Sequence, residues 1–377
     1  MELIGIRQIE TISSLGKGDE VWHSYLKSKP FLNGLSDRGA VYFQDHLVKE
    51  IQSYVENRPE LRRLDPSVQY LVFLSQKLCA DFPQNTGLNI ASSRGATHLF
   101  EHYFGEFSQS GNSNVFSSPT TTLGNLSSWL AHELNLKGFE MSHSIACSSG
   151  LHAVVNGVVW LESGRCDQFI AGASEASNTP FTKAQMSALK ICQFDADERF
   201  PVRAMDFDKT KNTMALSEGA GLVVLDKNID GALAVISGVG FATELVEHPA
   251  SISARATCFN KSMKMALEDA GLNTVDAIVM HAPGTIKGDL SELYAVQDVF
   301  GSNTPALTTN KWIVGHTLGA SGILSLEMGV LMIQNNHFVP NPLFDSKIPA
   351  EVKTVMINAV GFGGNAVSII LTRDEIN

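Results

Sequence analysis

The sequence contains few cysteines, and their spacing excludes two common roles. Their number is odd and no pair forms a C-x-x-C motif, which argues against a disulfide framework and a cysteine-based zinc site. The N-terminal residues also lack the basic and apolar segments of a secretory signal. These absences predict a protein of the reducing cytoplasm. The five cysteines in the 377 residues are Cys79, Cys147, Cys166, Cys192 and Cys258.

Long apolar runs and an excess of basic residues are also missing. No run reaches the roughly 20 residues that a helix needs to cross a bilayer. The 28 basic and 39 acidic residues give a formal charge of −11, which argues against nucleic acid as a partner. An acidic protein partner would need a local basic patch. Hydrophobic residues make up 44% of the chain, enough for a large core.

Apolar strand-like segments alternate with helix-like segments along the chain. This alternation predicts an α/β fold with largely parallel sheets covered by helices. A strand, a small-residue turn and an apolar helix occur around residues 139–161 and again around residues 306–333, and the glycine-rich strand at 217–225 resembles the one at 360–371. Such an ordered repeat indicates a duplicated α/β unit. We expect two halves, residues 1–228 and 229–377, with a site where they meet.

Cys147 lies in a sharp small-residue turn between a short strand and an apolar helix. Backbone N–H groups and the helix dipole favour negative charge at such a turn, so the pattern predicts a stabilised thiolate and a nucleophile. Small neighbours would let a substrate carbonyl approach the sulfur. The alternative is a buried cysteine that acts as a small apolar side chain.

Two histidines have comparable settings. His281 ends an apolar strand, and His316 opens a glycine-rich turn five residues after Lys311. Open α/β folds place ligands at the turns that follow strands. Either histidine could be structural, but the two together favour a catalytic pair.

Two weaker patterns carry alternative interpretations. The segment from His98 to His102 matches the H-x-x-E-H zinc motif, but no third ligand follows, and two polar positions on a surface helix are the simpler reading. Glu175 ends an apolar strand, where it could be catalytic or could cap the next turn. We favour the cap.

Four linked motifs resemble those of the β-ketoacyl-acyl-carrier-protein synthases, decarboxylating condensing enzymes with a thiolase-like, duplicated α/β/α/β/α fold. Their order and spacing match, and the similarity extends from the first strand to the last. The motifs lie at residues 146–150, at His281 with residues 284–292, at Lys311 with residues 315–322, and at residues 361–364.

The resemblance implies a role for each residue of the centre. Cys147 would take an acyl chain from a carrier protein as a thioester, and the backbone N–H groups of Cys147 and Phe362 would form the oxyanion hole. His281 and His316 would bind the malonyl thioester carbonyl and promote loss of CO2. Lys311 would support that pair. The enolate would attack the acyl group and give a 3-oxoacyl product.

The remaining matched residues have supporting positions. Phe362 would gate the acyl pocket, and Asp289 and Glu292 match acidic positions around the centre. Thr285 retains one of two hydroxyls expected near the pantetheine arm. The resemblance implies no metal, flavin or nicotinamide, because the substrates are carried on the phosphopantetheine of an acyl carrier protein.

Several positions depart from the family pattern. Pro283 replaces a hydroxyl-bearing residue, and Asn365 directly follows the glycine-rich turn, where Thr-Asn is usual. Ser325 stands where many members have a glutamate. Glu327 is two residues further, about 200° around a helix, so it should not substitute. The partner of Lys311 is therefore open. These departures suggest a specialised branch of the family.

The sequence suggests three functions within this family. The leading hypothesis is an active ketosynthase of a polyene, aryl-polyene pigment or polyketide pathway, and the second is housekeeping fatty-acid elongation. The third, a non-catalytic chain-length-factor-like subunit, is disfavoured because the nucleophile and both histidines are present. A biosynthetic thiolase would need a second catalytic cysteine near the C-terminus, and none follows Cys258.

The expected partners are an acyl carrier protein and a second ketosynthase-type subunit. The chain would form a homodimer or a heterodimer with a chain-length-factor-like homologue. The acidic carrier would dock on a basic surface, for which the candidates are Lys183, Lys190, Lys209 and Lys211.

Overall fold

The computed structural model describes residues 2–27, 39–78, 81–192, 199–245 and 252–373. Cys79 lies outside the described residues. The strands of the described chain are β1 Ile4–Ser13, β2 Gly16–Lys17, β3 Ala40–Val41, β4 Gly87–Ala91, β5 Glu140–His143, β6 Gln168–Glu175, β7 Leu216–Ser217, β8 Gly219–Asp226, β9 Ala234–Thr243, β10 Ala277–Val279, β11 Ala306–Thr308, β12 Thr354–Val360 and β13 Asn365–Thr372.

The helices alternate with these strands. They are α1 Asp19–Lys27, α2 Asp45–Glu56, α3 Pro66–Ser75, α4 Thr97–Ser110, α5 Ser117–Thr121, α6 Asn125–Glu133, α7 Ser149–Glu162, α8 Pro180–Ala188, α9 Thr257–Ala270, α10 Ile286–Phe300, α11 Lys311–Val314 and α12 Ser321–Gln334. No helix of the described ranges is long and apolar enough to span a bilayer.

The main sheet contains two arrays of five strands with the same internal order, and β2 pairs with β1 outside these arrays. The first half has the order β5-β4-β6-β8-β1, and the second has β11-β10-β12-β13-β9. We number the five strands of each array by their order in the chain. In space, both arrays then have the order third, second, fourth, fifth, first. This identical order confirms the predicted duplication. The predicted boundary between residues 228 and 229 falls in the turn between β8 and β9.

In the main sheet, parallel pairing is confined to the outer strands of each half, and β3 and β7 form a separate parallel pair. β4 pairs in parallel with β5 and β6, and β10 pairs in parallel with β11 and β12. The inner pairings are antiparallel, including the β1–β9 pairing that joins the halves. Each half is therefore a mixed α/β unit whose parallel strands end on the same side as the site described below.

The polar segment 39–66 contains a helix that its sequence pattern does not show clearly. Its residues 45–56 form α2, which buries Leu47 and Ile51 in the same apolar cluster as Leu71 of α3. The apolar positions are four residues apart, which is the spacing of one helix face. Polar residues between them conceal that period in a short segment.

Helices α7 and α12 are buried at the centre of the molecule. Both are apolar on most sides, as expected of a helix covered by structure all round, and they pack on each other and on strands of both halves. Their first turns meet at two glycines. A Cβ on Gly150 would lie 2.9 Å from the carbonyl oxygen of Gly319, and a Cβ on Gly322 would lie 2.7 Å from Leu151.

We predict that Gly150→Ala destabilises the protein by about 1–3 kcal/mol, because the added methyl group meets backbone that cannot rotate away. Chemical denaturation measures the change in the free energy of unfolding. The matched control is Gly105→Ala in α4, where a Cβ would meet nothing within 4 Å. Removing a mid-helix glycine there should stabilise the protein by roughly 0.5 kcal/mol. Equal effects at both positions would contradict the close-packing argument.

Candidate active site

Cys147 occupies the tip of a tightly bonded turn between β5 and α7. Ala146, just before it, has φ = 47°, a left-handed conformation that is strained for a residue with a Cβ. The Ile145 N–H donates to Ser149 Oγ at 2.8 Å, and Ser148 Oγ donates to the Ile145 carbonyl at 2.9 Å. These bonds fix the turn that aims the sulfur at the cavities described below.

The environment of the Cys147 sulfur differs from the predicted one. Burial raises the pKa of the thiol to about 12, and the nearby Glu175 carboxylate acts in the same direction. Lys311 and Arg94 lower the pKa but do not outweigh burial. The sequence argument from the turn predicted a stabilised thiolate, and the desolvation of a sulfur only 5% exposed reverses it. Cys147 is therefore a thiol and not a thiolate.

His281 and His316 face each other beside Cys147. Their ring centroids are 5.2 Å apart and the rings are nearly perpendicular, at 79°. His281 follows β10. His316 follows α11 and is held to the first half of the chain by its N–H, which donates to the Ala215 carbonyl at 2.7 Å. The turns that carry the two histidines thus meet as predicted.

Both histidines are neutral. Burial lowers the pKa of His316 to about 3, with the Lys311 charge acting in the same direction. Burial also lowers the pKa of His281 well below its usual value, and His316 and Lys311 act in the same direction. The Leu318 N–H donates to His316 Nδ1 at 3.1 Å, which places the proton of the neutral ring on Nε2. That nitrogen can therefore donate a hydrogen bond to a substrate oxygen.

Glu292 holds the backbone that carries His281. Its carboxylate accepts hydrogen bonds from the N–H groups of His281 at 2.9 Å and Ala282 at 2.8 Å, and from the amide of Asn358 at 3.2 Å. Burial raises the pKa of Glu292 to about 7. The contacts identify Glu292 as a residue that positions the histidine.

Asp289 holds the next part of the same loop. It accepts hydrogen bonds from the backbone N–H groups of Gly284 and Met205, both at 2.9 Å, and pairs with Lys209 at 2.7 Å. Burial raises the pKa of Asp289, against the opposing effect of Lys209. Thr285 caps α10 by accepting a hydrogen bond from the Gly288 N–H, and it lines the cavity beside the histidines.

Lys311 is buried behind the histidines and has neutral partners. Its ammonium donates to Asn310 Oδ1 at 2.9 Å and to Ser325 Oγ at 3.2 Å. Burial lowers its pKa to about 8, although Glu292, Cys147 and Asp289 act to raise it. Glu327 instead accepts from Thr11 Oγ1 at 2.6 Å. The partners of Lys311, which the sequence left open, are therefore the amide oxygen of Asn310 and the hydroxyl of Ser325.

The 361–364 loop places Phe362 next to the nucleophile. Gly361 packs on the chain just before Cys147, because a Cβ there would lie 2.7 Å from the Ile145 carbonyl oxygen. Gly363 and Gly364 have φ values of 140° and 70°, which glycine adopts readily. The Phe362 ring is 44% exposed.

Two cavities of about 350 Å³ each meet at this point. The first, here called the histidine cavity, contains both histidines together with Pro283, Thr285 and Glu292. The second, here called the far cavity, lies between α4 and α8 and contains Arg94 and Glu101. The residues common to both are Cys147, Met186, Leu318 and Phe362.

The weaker sequence patterns have structural explanations. His98 Nε2 lies 3.9 Å from Glu218, and His102 Nε2 lies 3.3 Å from Glu106. The described residues contain no group of three or more His, Cys, Asp or Glu side chains arranged to hold a metal. Glu175 is buried and accepts hydrogen bonds from the N–H groups of Ser93, Arg94 and Gly319. It ties two neighbouring loops together instead of capping the turn that follows it.

Two of the lysines predicted to dock the carrier protein are buried, so the prediction is wrong for them. Lys209 has a side chain only 2% exposed and is paired with Asp289, and Lys183 is buried with its ammonium 2.6 Å from the Tyr42 hydroxyl. Neither can present a charge to a partner. Lys190 and Lys211 are exposed.

Sequence reasoning missed Asn310, Asn358 and Arg94. The two asparagines act through contacts that join distant parts of the chain, so no local pattern indicates them. Arg94 did leave a signal, since it is a charged residue in the turn after an apolar strand.

Comparisons with known proteins agree with this geometry. The family model of the beta-ketoacyl synthase N-terminal domain matches residues 33–230, and that of the C-terminal domain matches residues 233–345. The 3-oxoacyl-(acyl-carrier-protein) synthase 2 of Coxiella burnetii (strain RSA 493 / Nine Mile phase I) is 26% identical, over 98% of each chain.

Solved structures of ketosynthases share the fold. The ishigamide ketosynthase/chain length factor has a TM-score of 0.84 at 22% identity and covers 98% of this chain and 99% of its own. A type II PKS acyl-carrier protein in complex with its ketosynthase bound to the hexaketide gives a TM-score of 0.81 at 18% identity, over 99% of this chain and 100% of the other. The thiolase-like fold is thereby confirmed.

We predict that iodoacetamide alkylates Cys147 slowly near neutral pH. Because the thiol pKa is raised, the thiolate fraction should grow about tenfold per pH unit between about pH 7 and about pH 9 without reaching a plateau. Peptide mapping by mass spectrometry follows the modification of Cys147 separately from the other cysteines, and Cys147→Ala gives the background. A plateau below about pH 9 would show that the turn outweighs burial.

Proposed function

The chain belongs to the beta-ketoacyl synthase family, and on that premise we propose that it is an active 3-oxoacyl-acyl-carrier-protein synthase. It would catalyse the decarboxylative Claisen condensation of a malonyl group on a carrier protein with an acyl group held on Cys147. The observation that supports this most directly is that the nucleophile and the two neutral histidines line one cavity.

In the first half-reaction the Cys147 sulfur attacks the thioester carbonyl of an acyl carrier. A C–S bond forms to Cys147, the C–S bond to the carrier breaks, and the carrier thiol leaves with the proton. The tetrahedral oxyanion would be bound by the backbone N–H groups of Cys147 and Phe362. Their neighbouring positions, set by the contact of Gly361 with Ile145, support this assignment.

In the second half-reaction the malonyl carrier enters the histidine cavity. Its terminal C–C bond breaks to release CO2, and the electron pair forms an enolate whose oxygen accepts hydrogen bonds from His281 and His316. The enolate carbon attacks the acyl-Cys147 carbonyl and expels the sulfur as a thiolate, which gives a 3-oxoacyl carrier. The thiolate then takes a proton from water and returns to the thiol. Neutral imidazoles suit this role because they donate a hydrogen bond without transferring a proton.

The supporting residues act through these groups. Lys311 would polarise the histidine pair from behind, and Glu292 and Asp289 would hold the 281–284 loop. Thr285 would contact the pantetheine arm as it passes through the histidine cavity, and Phe362 would separate the acyl group from that arm. The reaction requires no metal or organic cofactor beyond the phosphopantetheine of the carrier.

We further propose a specialised polyene, pigment or polyketide pathway. Pro283 lines the cavity where a hydroxyl was expected, and Lys311 lacks the usual acidic partner, so the centre is not of the common type. The similarity to a ketosynthase/chain length factor and to a type II PKS complex agrees with this. Housekeeping elongation remains the alternative. A non-catalytic subunit is disfavoured by the convergence of Cys147, His281 and His316.

The proposed partners are an acyl carrier protein and a second ketosynthase-type subunit. None of the described strands pairs with the outer edge of β5, and a free strand edge next to apolar surface is a site for association. Phe139, directly before β5, is exposed, and the other exposed aromatic side chains of the first half are Phe100, Phe104, Phe107, Phe116 and Phe181. Measuring the mass of the purified complex would distinguish a homodimer from a heterodimer.

The cytoplasmic location stays a prediction.

We predict that Cys147→Ala abolishes acyl-enzyme formation, because no other side chain can form the thioester at this position. Intact-mass spectrometry after incubation with an acyl carrier reports the added acyl mass. An unchanged unfolding midpoint serves as the control for the fold. An acyl adduct on the variant would refute the assignment of the nucleophile.

We predict that His281→Ala and His316→Ala each lower the rate of malonyl-carrier decarboxylation by about 100-fold or more, because each removes a hydrogen-bond donor to the enolate. Release of labelled CO2 measures this step. Both variants should still accept an acyl group on Cys147. Normal condensation by either variant would exclude that histidine from the reaction.

A further inference from the structure

The far cavity is the space left for the acyl chain under the proposed function. The histidine cavity holds the malonyl group and its arm, so the chain on Cys147 must extend to the other side of Phe362. There the walls come from the turn after β4, from α4 and from α8. They combine aromatic and charged side chains, namely Phe100, Phe181, Arg94 and Glu101.

Arg94 connects two of the elements that form the wall of the far cavity. It leaves the chain directly after β4, and its Nη1 donates to Gln185 Oε1 of α8 at 2.8 Å. Within the described part of the chain no carboxylate forms an ion pair with Arg94, and Gln185 is the one side chain that accepts from its guanidinium. A guanidinium has five N–H donors. Donors therefore remain available to a ligand in the far cavity.

Arg94 and Cys147 line the same cavity. The charge of Arg94 also acts on the Cys147 thiol, lowering its pKa against the effect of burial. The first carbons of a chain attached to Cys147 therefore lie in the field of the guanidinium. Burying a saturated chain there removes water from a cation without replacing its hydrogen bonds, which is unfavourable. An oxygen atom on the chain replaces them.

Glu101 decides which kind of oxygen fits. It lines the same cavity and accepts a hydrogen bond from Thr179 Oγ1. A carboxylate on the acyl chain would be attracted by Arg94 and repelled by Glu101. A keto oxygen accepts from the guanidinium, and a hydroxyl can in addition donate to the carboxylate. The pair of opposite charges thus favours a neutral oxygen substituent.

We propose that Arg94 is a specificity-determining residue that makes the far cavity select acyl chains carrying a keto or hydroxyl group near the thioester over saturated chains of equal length. This inference rests on the proposed function, because it assumes that the acyl group is held on Cys147. It assigns the substrate class to oxygenated, polyketide-like chains.

The test compares two loading rates in one protein. The full chain, with any subunit that co-purifies, is incubated separately with hexanoyl- and 3-hydroxyhexanoyl-N-acetylcysteamine thioesters. Intact-mass spectrometry follows the acylation of Cys147 over time. Because a loss of the Arg94 charge would also alter the thiol and slow both reactions, the ratio of the two rates is the quantity that reports selectivity.

The wild-type protein should load the hydroxylated chain roughly tenfold faster than the saturated chain, because one hydrogen bond to a charged donor contributes about that much. Arg94→Leu should remove or reverse that preference, and Arg94→Lys should retain part of it. The matched control is Arg165→Leu at an exposed site away from the cavities, which should leave the ratio unchanged. Thermal unfolding of each variant verifies the fold.

Three outcomes would overturn the inference. A wild-type preference for hexanoyl would contradict it directly, and so would an Arg94→Leu variant that keeps the wild-type ratio. If folded wild-type protein loads neither chain, and also no acyl group from a carrier protein, the proposed function itself fails and the inference falls with it. In the first two cases the acyl-enzyme still forms, so failure of the inference alone is distinguishable.

Discussion

The close contact between the first turns of α7 and α12 is the constraint on which the site depends. Two buried helices can approach this closely only because Gly150 and Gly322 have no side chains at the crossing. Each helix follows a turn that carries a residue of the site, Cys147 in one half and His316 in the other. The crossing therefore brings a thiol and an imidazole together from duplicated units that are distant in sequence.

The second characteristic of the site is that Cys147, His281 and His316 are themselves uncharged. Burial holds the histidines neutral and Cys147 as a thiol, while Lys311 is solvated by an amide and a hydroxyl. Removing a charge from water is costly unless a partner compensates it. The fully buried pair of Lys209 and Asp289 lies behind the loop it supports, where it acts on position and not on chemistry.

The sequence was sufficient for the duplication and for the meeting of Cys147, His281 and His316 in one cavity, because each is signalled by a local pattern of strand, turn and helix. Predictions from the sequence were wrong for properties that depend on how deeply a side chain is buried. The turn at Cys147 indicated a stabilised thiolate, and burial reverses that effect. The same limitation applies to Lys183 and Lys209, whose charge suggested an exposed surface, and to Glu175, whose partners come from two distant loops. Burial and long-range contacts have no local signature.

The sharing of Cys147 and Phe362 by the two cavities has a kinetic consequence under the proposed function. The arm that delivers the acyl group and the arm that delivers the malonyl group must both reach the sulfur through the histidine cavity, since the far cavity is taken by the chain. The two carriers cannot be bound at the same protomer together. Turnover must follow a double-displacement order, in which an excess of malonyl carrier competes with the acyl donor for the unloaded enzyme.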